Sequence, residues 1–241
     1  DYKIQAELTA TPRAGFHRYT YSESEQTGII IDLSHTIYPD RNPSHEIQII
    51  NDTEIAGYKG SGGWATTQHT WFHARFNKPF QCVLYDDGKV VADAKSAKSK
   101  KLLAVLTFDT KDEKEVLAKV GISHVDYEGA KNNLESEIKD WDFEATKEAA
   151  RELWAKELNQ VQVSGGTDDE KTIFYTSLYH TCISPNTFSD ADGRYRGMDQ
   201  QIHQANGKTI YTVFSLWDTF RGNHPLKTIL DPKRDNEFIE S

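Results

Sequence analysis

The chain has 241 residues, with 28 Lys and Arg against 37 Asp and Glu and a formal net charge of −9. That length can bury one large core or two smaller ones, and no stretch reaches the about eighteen apolar residues that a membrane-spanning helix needs. The acidic balance lacks the Lys and Arg surplus with which nucleic-acid binders displace counterions, so nucleic acid is not expected as a partner, and neither is membrane insertion by a helix.

In chain order, Asp1 to Thr9 alternate in the strand manner without a charged-then-apolar leader, so no signal peptide is expected. Strand patterns recur at Tyr19–Tyr21, Gly28–Leu33, His45–Ile50, Trp71–Phe76, Phe80–Tyr85 and Lys101–Phe108, separated by turn signals such as Asp86-Asp-Gly88 and Gly60-Ser-Gly-Gly63. Short strands at this spacing predict an antiparallel β-sandwich over residues 1–122. Near Val125 the period changes. Ala130, Leu134, Ile138 and Trp141, then Phe143, Ala150, Leu153, Trp154 and Leu158, recur at helical spacing and predict two linker helices within 123–163, which press Leu134, Ile138, Trp141, Phe143, Leu153 and Trp154 onto neighbouring structure. Glu135, Lys139, Lys147 and Glu148 are expected in solvent. A helical domain is predicted to start at 164: Thr167 with Glu170 forms a capping box, and Ile173, Phe174, Leu178 and Cys182 give the next helix an apolar face before Pro185. Residues 186–212 are polar and rich in Gly, Asp and Arg, helical patterning resumes from Phe214 to Phe220, and Asp231-Pro232 opens a final helix ten residues before the end of the chain. Both ends therefore read as those of a portion excised from a longer protein. Cys82 and Cys182 lie in different predicted domains and suggest no disulfide scaffold.

Three groups of residues could carry chemistry. Asp190-Ala-Asp-Gly193 resembles the start of a calcium loop, but aligning Gly193 with the obligatory glycine puts Phe188 where the first carboxylate belongs and Asp199 where a bidentate Glu belongs, so a long surface loop is the better reading. Trp217-Asp218-Thr-Phe-Arg221 places an aromatic plane beside a carboxylate and a guanidinium, which suits a sugar; the alternative is a core Trp with a surface Asp–Arg pair. His69 and His73 are four apart, an interval expected not to put both on one metal-binding face of a strand.

Phe174-Tyr-Thr-Ser-Leu-Tyr-His-Thr181, Pro185-Asn186, Asp190-Ala-Asp-Gly-Arg-Tyr-Arg-Gly197, Tyr211 through Arg221 and His224-Pro-Leu226 together resemble glycoside hydrolase family 92, the calcium-dependent exo-α-mannosidases. Glu7–Tyr19 and Gly57–Trp64 resemble the family's amino-terminal domain, so the likeness covers essentially the whole chain but about a third of a member. The resemblance implies a multidomain, β-then-α architecture: a galactose-mutarotase-like supersandwich, incomplete at its amino end (1–122), a helical linker (123–163) and the start of a truncated (α/α)6 toroid (164–241), with sugar bound where sandwich and toroid meet. It implies hydrolysis of terminal α-mannosides of glycans with inversion, a calcium cofactor, mannose-containing glycans as partners, a role in N-glycan degradation and a periplasmic or secreted location. Catalytic carboxylates and calcium ligands are expected beyond Ser241, so no catalytic or metal residue is assigned. Trp217 and Asp218 are carried over as holding the terminal mannose. Arg221 and His180 sit in matched motifs, Arg221 as a further substrate contact or in a buried pair with a carboxylate. The isolated chain is expected to be inactive. Two alternatives keep other chemistry open: a sandwich-plus-toroid phosphorylase, and a non-catalytic sugar-binding or scaffold module.

Overall fold

The computed structural model describes residues 3–22, 27–37, 39–41, 43–63 and 65–241. Asp1 and Tyr2 at the predicted first strand, and Trp64 of the matched motif, lie outside the described residues.

Among the described residues eleven strands precede the first helix: β1 (Gln5–Ala10), β2 (Ala14–Thr20), β3 (Thr27–Asp32), β4 (Ser44–Ile49), β5 (Glu54–Ser61), β6 (Gln68–Phe76), β7 (Gln81–Asp86), β8 (Lys89–Val91), β9 (Ser96–Ser99), β10 (Leu102–Phe108) and β11 (Glu115–Ser123). They form an antiparallel seven-stranded sheet, ordered β1-β2-β11-β6-β5-β4-β9, and a four-stranded sheet, ordered β3-β10-β7-β8. The sandwich core lies between them. Leu102, Ala104, Leu106 and Phe108 alternate inward along β10 and meet Ile47, Ile55, Phe72, Ala74 and Phe76 of the larger sheet. Each predicted strand has its counterpart among the described residues. Patterning missed β5, β8, β9 and β11; of these β11 lies mid-sheet and is buried along most of its length on both faces, so it shows no apolar–polar alternation.

Its second face is covered by α1 (Tyr127–Glu137) and α2 (Phe143–Leu158), each opened by an aspartate whose side chain accepts a backbone N–H, Asp126 from Gly129 and Asp142 from Ala145. Leu134, Ile138 and Phe143 close a second core over Ala14, Phe16 and Leu117. Lys119, on β11, is only 4% exposed. Its Nζ donates to the carbonyls of Ile138 (3.2 Å) and Asp140 (3.3 Å), capping the end of α1, and lies 4.1 Å from the centroid of the Trp141 ring. Burial pushes this lysine below the ordinary lysine range.

The predicted contacts of these helices hold only in part. Glu135, Lys139, Lys147 and Glu148 are exposed as expected, but so is Leu153, and Trp154 is 40% exposed with one face on Tyr179. In α3 (Asp168–His180) the Thr167–Glu170 capping box is present, yet only Leu178 is buried and Ile173 is 66% exposed. A periodic apolar stripe says that a face wants covering, not that residues of the same stretch of chain cover it.

The rest of the chain comprises a two-stranded ribbon, β12 (Arg194–Arg196) and β13 (Ile202–Gln204), and helices α4 (Leu216–Thr219), α5 (Asn223–Leu230) and α6 (Pro232–Glu240). Asp231 caps α6 ahead of Pro232, as its sequence predicts. Both cysteines are free, and no helix among the described residues is long and apolar enough to cross a membrane.

Helix α6 is tied to α2 by Arg234, whose Nη1 and Nη2 donate to the Glu157 carboxylate at 2.9 and 2.7 Å. Those bonds hold the Glu157 carboxyl below its ordinary value of 4.5. Because the native value is the lower one, the tie contributes above the ordinary range and is lost as pH falls through the native value. Glu157→Gln should therefore flatten the loss of stability between roughly pH 5 and 3, read as the shift in unfolding midpoint with pH; an acid limb identical to wild type would show that the tie carries none of it.

Candidate sugar site

The matched motif around Asp190 lies within a closed loop, and the motif that contains Asp218 begins in the returning side of its stem. Thr187 bridges to Tyr211, the Phe188 and Ser189 amides both donate to the Ile210 carbonyl, and the Thr212 amide donates to that of Asn186. The ribbon is the tip of this loop, and its returning end leads through Phe214 into α4.

At the tip Asp190 is 3% exposed. Its carboxylate accepts from Ser123 Oγ at 2.6 Å and from Asn133 Nδ2 at 2.8 Å, while Asn133 Oδ1 accepts from the Ala191 amide. Burial raises the Asp190 carboxyl above the aspartate range, and the two donors oppose that rise. Gly193 takes φ +83°, a left-handed turn that glycine makes without strain. Asp192 receives Arg194 Nε at 2.8 Å, and Arg194 Nη1 donates to Asp126 at 2.7 Å. The acidic oxygens that suggested a calcium loop are thus engaged with donors from the protein itself.

Helix α4 turns the other way, to solvent. Trp217 is 77% exposed, and Asp218 and Arg221 are exposed with it. Among the described residues the Asp218 carboxylate has no ion pair or side-chain hydrogen bond, and the Arg221 guanidinium lies 5.4 Å from the centroid of the neighbouring Phe220 ring. A core Trp with an Asp218–Arg221 pair, and a buried Arg221, are both absent here. The segment that leads into α4 is anchored by Phe214, which packs on His224 (4.7 Å between centroids) and Phe238 (6.3 Å), and His224 Nδ1 is 3.1 Å from the buried Asp235. A stacking plane and a free carboxylate acceptor on a supported stem are what recognition of a sugar ring requires. His180 ends α3, exposed, with its ring against Tyr179.

The histidine pair needs its reason corrected. His69 and His73 both lie on the outer face of β6, since residues four apart on a strand share a face, but ~13 Å of strand separates them, too far for one ion. His69 instead meets Tyr58 Oη at 2.7 Å, and His73 Nε2 meets Glu54 at 3.1 Å. Among the described residues no three His, Cys, Asp or Glu side chains converge to hold a metal.

Sequence reasoning singled out Asp190 and the arginines only as members of a loop. It missed the anchoring of that loop to β11 and α1, because Ser123 and Asn133 show no pattern that connects them with Asp190 in the linear sequence.

Residues 1–123 match the model of the glycosyl hydrolase family 92 N-terminal domain, and residues 129–241 that of the glycosyl hydrolase family 92 catalytic domain. The chain is similar to the family GH92 alpha-mannosidase BT3965 from Bacteroides thetaiotaomicron, with TM-score 0.93 and 36% identity over 99% of this chain and 33% of that one. The same protein in complex with mannoimidazole gives TM-score 0.92 at 36% identity, over 99% and 32%. The family GH92 inverting mannosidase BT2199 from Bacteroides thetaiotaomicron VPI-5482 gives 0.82 at 26% identity, over 93% and 30%. The chain therefore spans about a third of the length of these solved structures. No curated protein matches it.

Proposed function

The chain belongs to glycosyl hydrolase family 92, and from that premise we propose that it is part of an exo-acting α-mannosidase that removes terminal mannose from glycans with inversion. The observation that carries the reading is α4, an exposed Trp217 beside an unpaired Asp218, in a chain whose fold is that of a mannosidase seen with mannoimidazole. Trp217 stacks on the apolar face of the terminal sugar, Asp218 accepts from its hydroxyls, and Arg221 is close enough in sequence to donate to the same ring. Inversion requires a carboxylic acid to protonate the leaving oxygen and a separate carboxylate to activate water about 6.5–9.5 Å away. We assign neither role within residues 1–241. Calcium, which the family resemblance implies, finds no cage among the described residues, where Asp190 and Asp192 are engaged with Ser123, Asn133 and Arg194.

The test is hydrolysis of an aryl α-mannoside by the full-length polypeptide, with the anomer of the first product followed by NMR. β-Mannose appearing first supports the proposal, and α-mannose first overturns inversion. Mannose 1-phosphate formed only with added phosphate would replace hydrolysis with phosphorolysis, and no turnover of any α-mannoside would overturn the reading as a whole.

A further inference from the structure

Arg196, on the ribbon, spends its whole guanidinium on backbone. Nε donates to the carbonyl of His124 at 3.0 Å, Nη2 to that of Val125 at 3.0 Å and Nη1 to that of Gln200 at 2.9 Å. Among the described residues it has no carboxylate partner. An ion pair tolerates sliding, but a rigid fork bonded to carbonyls in two separate segments fixes one segment against the other. The first two carbonyls belong to the residues that immediately follow β11, so the segment held is the last strand of the sandwich.

The same guanidinium lies 5.3 Å from the centroid of the Trp71 ring on β6. Trp71 pairs with Tyr58 on β5 and with Ser123 on β11 in one cross-strand row. His69 stacks on Trp71 (5.5 Å, 17°) and bonds Tyr58 Oη, and its carbonyl is 2.7 Å from His124 Nδ1. Arg196 therefore joins the ribbon both to the end of β11 and to the middle of the β5–β6 hairpin. Asp190, buried against Ser123 and Asn133, is a second fastening of the same loop to the same strand end.

Through the closed stem, the returning end of the loop reaches Thr212, four residues before Leu216 opens α4. None of the residues of α4 is buried, so no core contact of its own fixes α4 in place. We infer that Arg196 is a positioning residue for the sugar site: by locking the ribbon to β11 and the β5–β6 hairpin, it sets where Trp217 and Asp218 stand relative to the sandwich. This rests on the proposed mannoside-binding role of α4.

The test uses the full-length polypeptide with Arg196→Gln and Arg196→Lys. Steady-state hydrolysis of an aryl α-mannoside is measured beside the unfolding midpoint and the hydrogen exchange of the Asp218, Thr219 and Phe220 amides. Arg196→Gln should raise KM by roughly tenfold with kcat changed less than about threefold, and should speed exchange in α4; Arg196→Lys, which keeps the cation over Trp71, should fall between it and wild type. A wild-type KM, or an activity loss that merely follows the unfolded fraction with KM unmoved, would overturn the inference. If the wild-type polypeptide turns over no α-mannoside, the functional reading fails by itself. Faster α4 exchange in Arg196→Gln would then still support the positioning role, and unchanged exchange would refute it.

Discussion

In the full-length polypeptide Asp218→Asn should lower kcat/KM on α-mannosides by roughly ten- to a hundredfold and leave the pH profile where it is. The substitution keeps the shape of the side chain but turns one accepting oxygen into a donor, removing a charge-assisted bond worth about 1.5–3 kcal/mol. An acceptor that only orients the sugar transfers no proton, so the ionisations that govern the rate are untouched. A structural Asp218 would behave in the opposite way, with a lower unfolding midpoint and unchanged efficiency per folded molecule. Among the described residues that alternative has no partner, because none pairs with the Asp218 carboxylate and Arg221 rests by Phe220. Wild-type efficiency in Asp218→Asn, or a sugar complex with this side chain turned away from the ligand, would remove it from the site.

The second large effect is one of packing. Gly121→Ala should destabilise the fold by about 3 kcal/mol or more, because β11 and α1 approach each other without room for a methyl group. A Cβ at Gly121 would stand 2.2 Å from the Ala130 carbonyl oxygen and 2.8 Å from Leu134 Cβ. Neither can swing aside as the end of a flexible side chain would, so α1 must lift and open the core that Leu134 and Ile138 close over Phe16. Gly129, the residue before Ala130, lies so close to Asp190 that a Cβ there would meet Oδ2 at 2.3 Å, and Asn133 of the same helix bonds Asp190, so lifting α1 to relieve the first clash also disturbs the anchor of the ribbon. Gly222→Ala, where a Cβ meets nothing within 4 Å, is the control; as the cap position of α5 it should cost about 1 kcal/mol or less. Equal denaturation midpoints for Gly121→Ala and wild type would show that the sheet–helix contact is looser than this geometry.

What the amino-acid sequence determined by itself is local. Alternation in Gly28–Leu33 or Lys101–Phe108 shows as a half-buried strand because successive side chains point to opposite faces. The Thr167–Glu170 box and Asp231-Pro232 show as helix starts because each satisfies backbone N–H groups within a few residues. The change of period near Val125 falls where the strands give way to helices for the same reason. The exposed Trp217-Asp218 pair was legible as a candidate sugar site only because its residue types are themselves the chemistry. Tertiary structure decided the rest. β11 pairs with β2, about a hundred residues earlier, and is buried on both faces, which erases its period. The exposure of Leu153 and Ile173 depends on what packs beside them, and helical spacing carries no information about that. The anchoring of the ribbon was least legible of all: Arg196 bonds carbonyls, which every residue possesses, and Gly121 and Gly129 matter for space rather than for contact. A backbone acceptor and a missing Cβ leave no residue-specific mark in a one-dimensional pattern, so the placement of the sugar site relative to the sandwich exists only once the chain is folded.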